Sequence, residues 1–226
     1  ITYALVINDN GINNLHSGSD FLRDRIWDAE ISENEAGTTI TFSLFSPDGD
    51  QNYPGNADIR VSYTLTEDDA VRIDYHMTCD EDTIANFTNH AYFNLAGQGS
   101  GSALGQKVWI DADQFTLSDQ YCVPTGELAL VKDTPMDFTQ FKAIGRDIEA
   151  DYEQLKLAGG YDHNWVLNHK EGELALSAKA MDEASGRVLE VYTDLPGIQF
   201  YTANFLTHME GKNHAVYDRR DAYCFE

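Results

Sequence analysis

DIRVSYTLTEDDAVRIDYHMTC, residues 58–79, carries Ile59, Val61, Tyr63 and Leu65 at every second position, breaks at the polar cluster TEDD, and resumes with Val71, Ile73, Tyr75 and Met77. Successive side chains of a strand point to opposite faces, so this period of two marks two half-buried strands separated by a turn. The same alternation recurs in TITFSLFS (39–46), KVWIDAD (107–113), ELALSAKAMD (173–182) and RVLEVYTD (187–194). Turn clusters such as SPDGD, AGQGSGSALG and DEASGR punctuate these runs. ITYALVINDNG at the start reads as a strand and a turn, and FTNHAYFNLAG (87–97) as a buried strand entering a glycine turn. The one helical candidate is MDFTQFKAIGRDIEADYEQL, 136–155. The expectation is an all-β protein, a large antiparallel β-sandwich or barrel.

Composition agrees. Of 226 residues, 42% are hydrophobic and 12% aromatic, with 12 Tyr and 11 Phe, the profile of a packed chain rich in strand-forming side chains. No linker or composition shift divides it, so residues 1–226 are expected to form a single domain.

Charge narrows the partners. Asp and Glu number 38 against 15 Lys and Arg, a formal net charge of -23. Nucleic acid and anionic lipid are bound mainly through clustered Lys and Arg, so neither is an expected partner. Acidic groups are spread along the chain rather than gathered in a tail, which describes a soluble, self-repelling surface. Cys79, Cys122 and Cys224 are odd in number and lack CxxC spacing, which argues against a disulfide framework or a structural zinc site. A reducing, cytoplasmic location is expected, since no apolar run approaches the length of a membrane span.

His90 stands between Asn89 and Ala91–Tyr92, a setting that suits a cleft-wall histidine as well as a catalyst. Four other stretches place a polar residue among aromatics and glycines: NNLHSG around His16, GGYDHNWVL around Asp162 and His163, PGIQFYTANF around Gln199, and AYCFE ending at Glu226. A metal site is disfavoured because HxH and HExxH are absent and the neighbours are Asn, Tyr and Trp. No GxSxG elbow or phosphate-cradling loop is present either. The set suits a neutral carbohydrate: aromatic planes to stack on sugar faces, and Asn, Gln, Asp and His to fix hydroxyl directions. A histidine and a glutamate in such a cleft can exchange protons with a sugar.

NNLHSG, TNHAYFNLAG, GGYDHNWVL, GRVLEVYTDLPGIQFYTANFL and YCFE, in that order along the chain, together resemble the galactose mutarotase, or aldose 1-epimerase, family. The resemblance implies a large antiparallel galactose-mutarotase-like β-sandwich with an open sugar groove, interconverting the anomers of a free aldose without cofactor or metal. It implies that His90 is the general acid at the ring oxygen and Glu226 the base at the C1 hydroxyl. His16, Asp162, Gln199 and Asn89 are implied as sugar-binding residues. Asp162 has an alternative reading as a turn cap in a turn-rich stretch. His163 is expected to support its strand, Tyr92 and Trp165 to be core, and His76, His169, His208 and His214 to be ordinary surface or strand residues.

The family's usual N-terminal arginine motif and its C-terminal stretch after the glutamate have no counterpart, and Arg23 and Arg25 follow the His16 motif instead of preceding it. Ser17 stands where the family has a glycine. The chain is therefore expected to be part of a longer enzyme. A non-catalytic carbohydrate-binding module remains an alternative, as does a hexose-6-phosphate epimerase, although no arginine cluster for a phosphate is evident.

Overall fold

β1 (Asp28–Asn34), β2 (Gly37–Ser46), β3 (Ala57–Leu65) and β4 (Val71–Cys79) form a four-stranded antiparallel meander in the order of the chain. The structure is a computed structural model and describes residues 1–35 and 37–226. The chain falls into two compact units, Ile1–Phe87 and Thr88–Glu226.

In the first unit, register turns the sequence alternation into rows across the sheet: Ile31, Ile40, Tyr63 and Ile73 lie opposite one another, as do Ala29, Phe42, Val61 and Tyr75. The other face carries hydroxyl pairs, Thr39 with Thr64 and Thr41 with Ser62, each at 2.8 Å. The β3–β4 turn closes through Thr66, whose amide donates to Ala70 O, with Asp69 left-handed at φ 63°. The N-terminal segment departs from expectation. Its turn is present, but the strand is reduced to an isolated bridge between Asp9 and Asn13. Asparagine side chains serve its backbone in place of a ladder: Asn52 Nδ2 donates to Ala4 O, and Asn14 Nδ2 to Val6 O.

The second unit contains β5 (Lys107–Ile110), β6 (Ala112–Ser118), β7 (Pro124–Leu130), β8 (Lys142–Ala143), the helix α1 (Glu153–Ala158), β9 (Asp162–Leu167), β10 (Ala175–Met181), β11 (Val188–Thr193), β12 (Gly197–Tyr201), β13 (Met209–Glu210), β14 (Val216–Tyr217) and β15 (Cys224–Phe225). They make one sheet of order β11-β10-β5-β8, a second of order β15-β12-β9-β6-β7, and the ribbon β13-β14, all antiparallel. Val108 and Ile110 from one sheet meet Phe115, Trp165 and Phe200 from the other in one buried core, the packing of a β-sandwich. Trp165, wholly buried, donates its Nε1–H to Met136 O at 3.1 Å, so the indole gives up no hydrogen bond on burial.

KVWIDAD, expected as one strand, is two. Asp111 is a corner between sheets: its amide donates to Ser177 O at 2.9 Å and its carbonyl accepts from Asn168 N at 3.0 Å. Val108, Ile110 and Ala112 are all buried, so the alternation runs through the corner unbroken and hides it. The helix expected over 136–155 is confined to α1 and a single 3-10 turn at Ile144–Arg146. Asp137 Oδ1 accepts from the amide and hydroxyl of Thr139, forming a local turn in place of helical bonds. Met136 and Phe138, then Lys142 and Ile144, are buried two apart, as extended chain requires.

Candidate active site

Strand alternation sorts the site from the core. In β9, His163, Trp165 and Leu167 are buried, while Asp162, Asn164 and Val166 take the opposite face. In β12, Ile198 and Phe200 join the core, leaving Gln199 and Tyr201 on that same opposite face; at β15, Phe225 turns to the core, while Cys224, itself buried, and Glu226 take the face of Tyr201 and Gln199. Register aligns them. Tyr201 lies opposite both Asp162 and Cys224, and Gln199 opposite Asn164. Gln199 and Glu226 exchange backbone hydrogen bonds of 2.8 and 2.9 Å.

Side chains tie the face together. Gln199 Nε2 donates to Asp162 Oδ1 at 2.8 Å, and Glu226 Oε1 lies 3.3 Å from His90 Nε2. Burial raises the Asp162 carboxyl above the ordinary aspartate range, and the Gln199 hydrogen bond offsets part of that rise. Glu226, its side chain 13% exposed, is pushed up to about 7, first by burial and second by the charge of Asp162. The site thus holds a carboxyl that titrates near neutrality against an imidazole within hydrogen-bonding reach, the pattern expected of groups that trade protons.

FTNHAYFNLAG is not a sheet strand. It is a half-buried extended segment joined to the sheet by one bridge, in which Phe93 N donates to Tyr223 O at 2.8 Å and Tyr223 N to Phe93 O at 3.1 Å. Tyr223 leads directly into β15, so this bridge sets His90 beside Glu226. Asn89 Oδ1 accepts from Ala91 N at 3.1 Å, shaping the backbone on either side of His90. Tyr92, expected in the core, is 46% exposed. Its ring stacks on His90 at 5.2 Å and 22°, while Tyr201 meets His90 edge-on at 6.1 Å. Tyr92 also lines a cavity of about 360 Å³ together with Asn94, Leu206, Met209 and Tyr217.

Of the residues singled out in the sequence, His90, Glu226, Asp162, Gln199 and Asn89 all belong to the second unit. His16 belongs to the first. It sits at φ 50° on a loop held by Asn8, which accepts from Leu15 N at 2.7 Å and donates to Gly18 O at 2.8 Å, and it meets Phe21 edge-on at 6.1 Å. His163 and Trp165 are core, as expected. His163 is held neutral, its pKa lowered to about 4 by burial, and its Nδ1 accepts the Asp162 amide at 3.2 Å. Tyr201 and Asn164 share the face and were not singled out. Each lies two residues from one that was, so strand parity alone was the signal.

Comparison with known proteins matches the whole chain, residues 1–226, to the family model described as aldose 1-epimerase. Galactose mutarotase of Sus scrofa is 40% identical over 99% of the chain, and that of Homo sapiens 38% over the same share. Aldose 1-epimerase of Escherichia coli is 37% identical over 87%. Among solved structures, galactose 1-epimerase from Lactobacillus acidophilus superposes with a TM-score of 0.86 at 28% identity, covering 99% of this chain and 63% of its own. The chain spans 62% of the length of the two mammalian relatives and 55% of the bacterial one.

Proposed function

The chain belongs to the aldose 1-epimerase family, and from that premise we propose that it interconverts the α and β anomers of a free aldohexose, D-galactose or D-glucose. The observation that carries this reading is the 3.3 Å approach of His90 Nε2 to a Glu226 carboxyl whose pKa is pushed up to about 7. Anomer exchange requires a proton delivered to the ring oxygen as another leaves the C1 hydroxyl. His90, entering as imidazolium, donates to O5. Glu226, entering as carboxylate, accepts from O1. The C1–O5 bond breaks to give the open aldehyde, rotation about C1–C2 presents its other face, and the two groups reverse roles as O5 re-adds to C1. Microscopic reversibility demands that exchange, and a carboxyl titrating near neutrality can give and take a proton with little penalty in either direction.

Asp162 and Gln199 are the proposed hydroxyl-binding pair, because their mutual hydrogen bond fixes both side chains on the face that carries Glu226. Asn89 is assigned to the same task. His16 enters as a sugar-binding residue through its motif alone. The net charge of -23 leaves an uncharged sugar as the fitting ligand and disfavours nucleic acid. Among the described residues no helix is long and apolar enough to cross a membrane. We place the protein in a reducing, cytoplasmic setting, where thiols such as Cys79 and Cys224 stay reduced.

Polarimetry on freshly dissolved α-D-galactose and α-D-glucose tests the proposal. The protein is expected to bring the rotation to equilibrium far faster than buffer. Binding of sugar without acceleration would reduce it to a carbohydrate-binding module, and selectivity for a sugar phosphate would redirect it to the phosphorylated hexoses.

A further inference from the structure

The peptide that leads into Asp162 is clamped on both sides. Tyr161 O accepts from Thr202 N at 3.1 Å, from Thr202 Oγ1 at 3.1 Å and from Asn204 Nδ2 at 2.9 Å, and the amide of Asp162 donates to His163 Nδ1. Two amide donors on this carbonyl, with the Thr202 hydroxyl shared between it and Asn204 Oδ1 at 2.7 Å, restrict rotation of that peptide. Thr202 and Asn204 are themselves held by Arg220, a guanidinium 7% exposed. Its Nη1 donates to Thr202 O at 3.2 Å, to Thr202 Oγ1 at 2.9 Å and to Asn204 Oδ1, and its Nη2 donates to Gly159 O. Glu149, 76% exposed, stands 3.7 Å away, so the burial of the cation is compensated mainly by backbone and side-chain oxygens.

The backbone is built around this side chain. Gly160 has φ 147°, and a Cβ there would collide with both terminal nitrogens of Arg220 and with Asn204 Oδ1. Ala203 and Arg220 hold left-handed conformations, φ 50° and 74°, which non-glycine residues keep only where surrounding bonds enforce them. One cation therefore fastens the segment before β9, which delivers Asp162, to the segment after β12, which delivers Gln199 and Tyr201. Arg220 itself lies four residues before Cys224, the start of β15, which leads to Glu226.

Resting on the reading of Asp162 as a sugar-binding residue, we propose that Arg220 is a positioning residue, fixing Asp162 through Thr202, Asn204 and the Tyr161 carbonyl. Only a planar fork with several donors serves these acceptors together, which a lysine cannot do. The test compares Arg220→Met and Thr202→Val with wild type, alone and combined with Asp162→Asn. KM for D-galactose is expected to rise roughly tenfold, the size of one hydrogen-bonded contact misplaced, with kcat changed less than about threefold. In the Asp162→Asn background neither substitution should raise KM further, because the residue they position is already disabled. Exchange of the Asp162 amide, followed by NMR, should quicken in both variants while that of Trp165 does not. An unchanged KM in a folded variant, full additivity with Asp162→Asn, or unaltered Asp162 exchange overturns the proposal. Should Arg220→Met fail to fold, Thr202→Val carries the same measurements. Faster Asp162 exchange in the variants, alongside a wild type that shows no anomerisation, would retain Arg220 as the clamp and remove the enzymic reading instead.

Discussion

His90 and Glu226 come from opposite ends of the second unit, yet Nε2 of one lies 3.3 Å from Oε1 of the other, because the Phe93–Tyr223 bridge draws the first segment alongside β15. The pairing depends on a carboxyl held near neutrality by burial and by Asp162. Both causes can be varied by experiment.

The acid limb of kcat/KM should lie near pH 7, where Glu226 takes up its proton in the sugar-free protein. Asp162→Asn removes a negative charge that raises the Glu226 pKa, so the limb should move to lower pH in that variant. A limb near pH 4.5 in the wild type, or one that Asp162→Asn leaves in place, would show that another group governs the profile.

Asp162→Asn should also raise KM more than it lowers kcat, since a hydroxyl-binding residue serves ground and transition states alike. A collapsed kcat at unchanged KM would place Asp162 in the proton transfers themselves.

The same buried carboxyl shapes stability. Its folded pKa of about 7 exceeds the ordinary 4.5, so the native state holds the proton more tightly than the unfolded chain. The cost of burying the charge is absent below pH 4.5, grows as pH rises, and reaches about 3 kcal/mol above pH 7. Glu226→Gln should therefore gain in Tm over wild type as pH is raised from 4.5 to 7 and show no such gain at pH 4. Parallel Tm curves for the two proteins would refute the shift.

Lys142, 1% exposed, rests over the Phe138 ring and pairs with Asp147 at 3.0 Å. Asp147→Asn leaves a buried cation without its carboxylate and should cost about 2–4 kcal/mol, whereas Lys142→Met removes the cation while keeping its volume and should cost less. Urea unfolding at pH 7 ranks them, and a more damaging Lys142→Met would reverse the argument.

Strand periodicity made β2, β3, β4, β10 and β11 legible because each has one face on apolar neighbours. It could not show the Asp111 corner, where burial parity continues across a change of sheet. The segment 136–155 misled because its apolar residues follow the surface of a core they wrap, a tertiary demand that outweighs local helix preference. Around the site, motif order pointed to His90 and Glu226. The edge-on contact of Tyr201 with His90 and the bonds from Arg220 to Gly159 and Thr202 join segments distant in the chain, which no local window contains.

The central measurement is the anomerisation rate by polarimetry for wild type, His90→Asn, Glu226→Gln and the double variant, each shown to be folded. If the pair exchanges protons with the sugar, each single substitution lowers kcat by about 10²- to 10⁴-fold, and the double falls little below the poorer single because both groups serve one event. Near-wild-type turnover in either folded single variant would contradict the account.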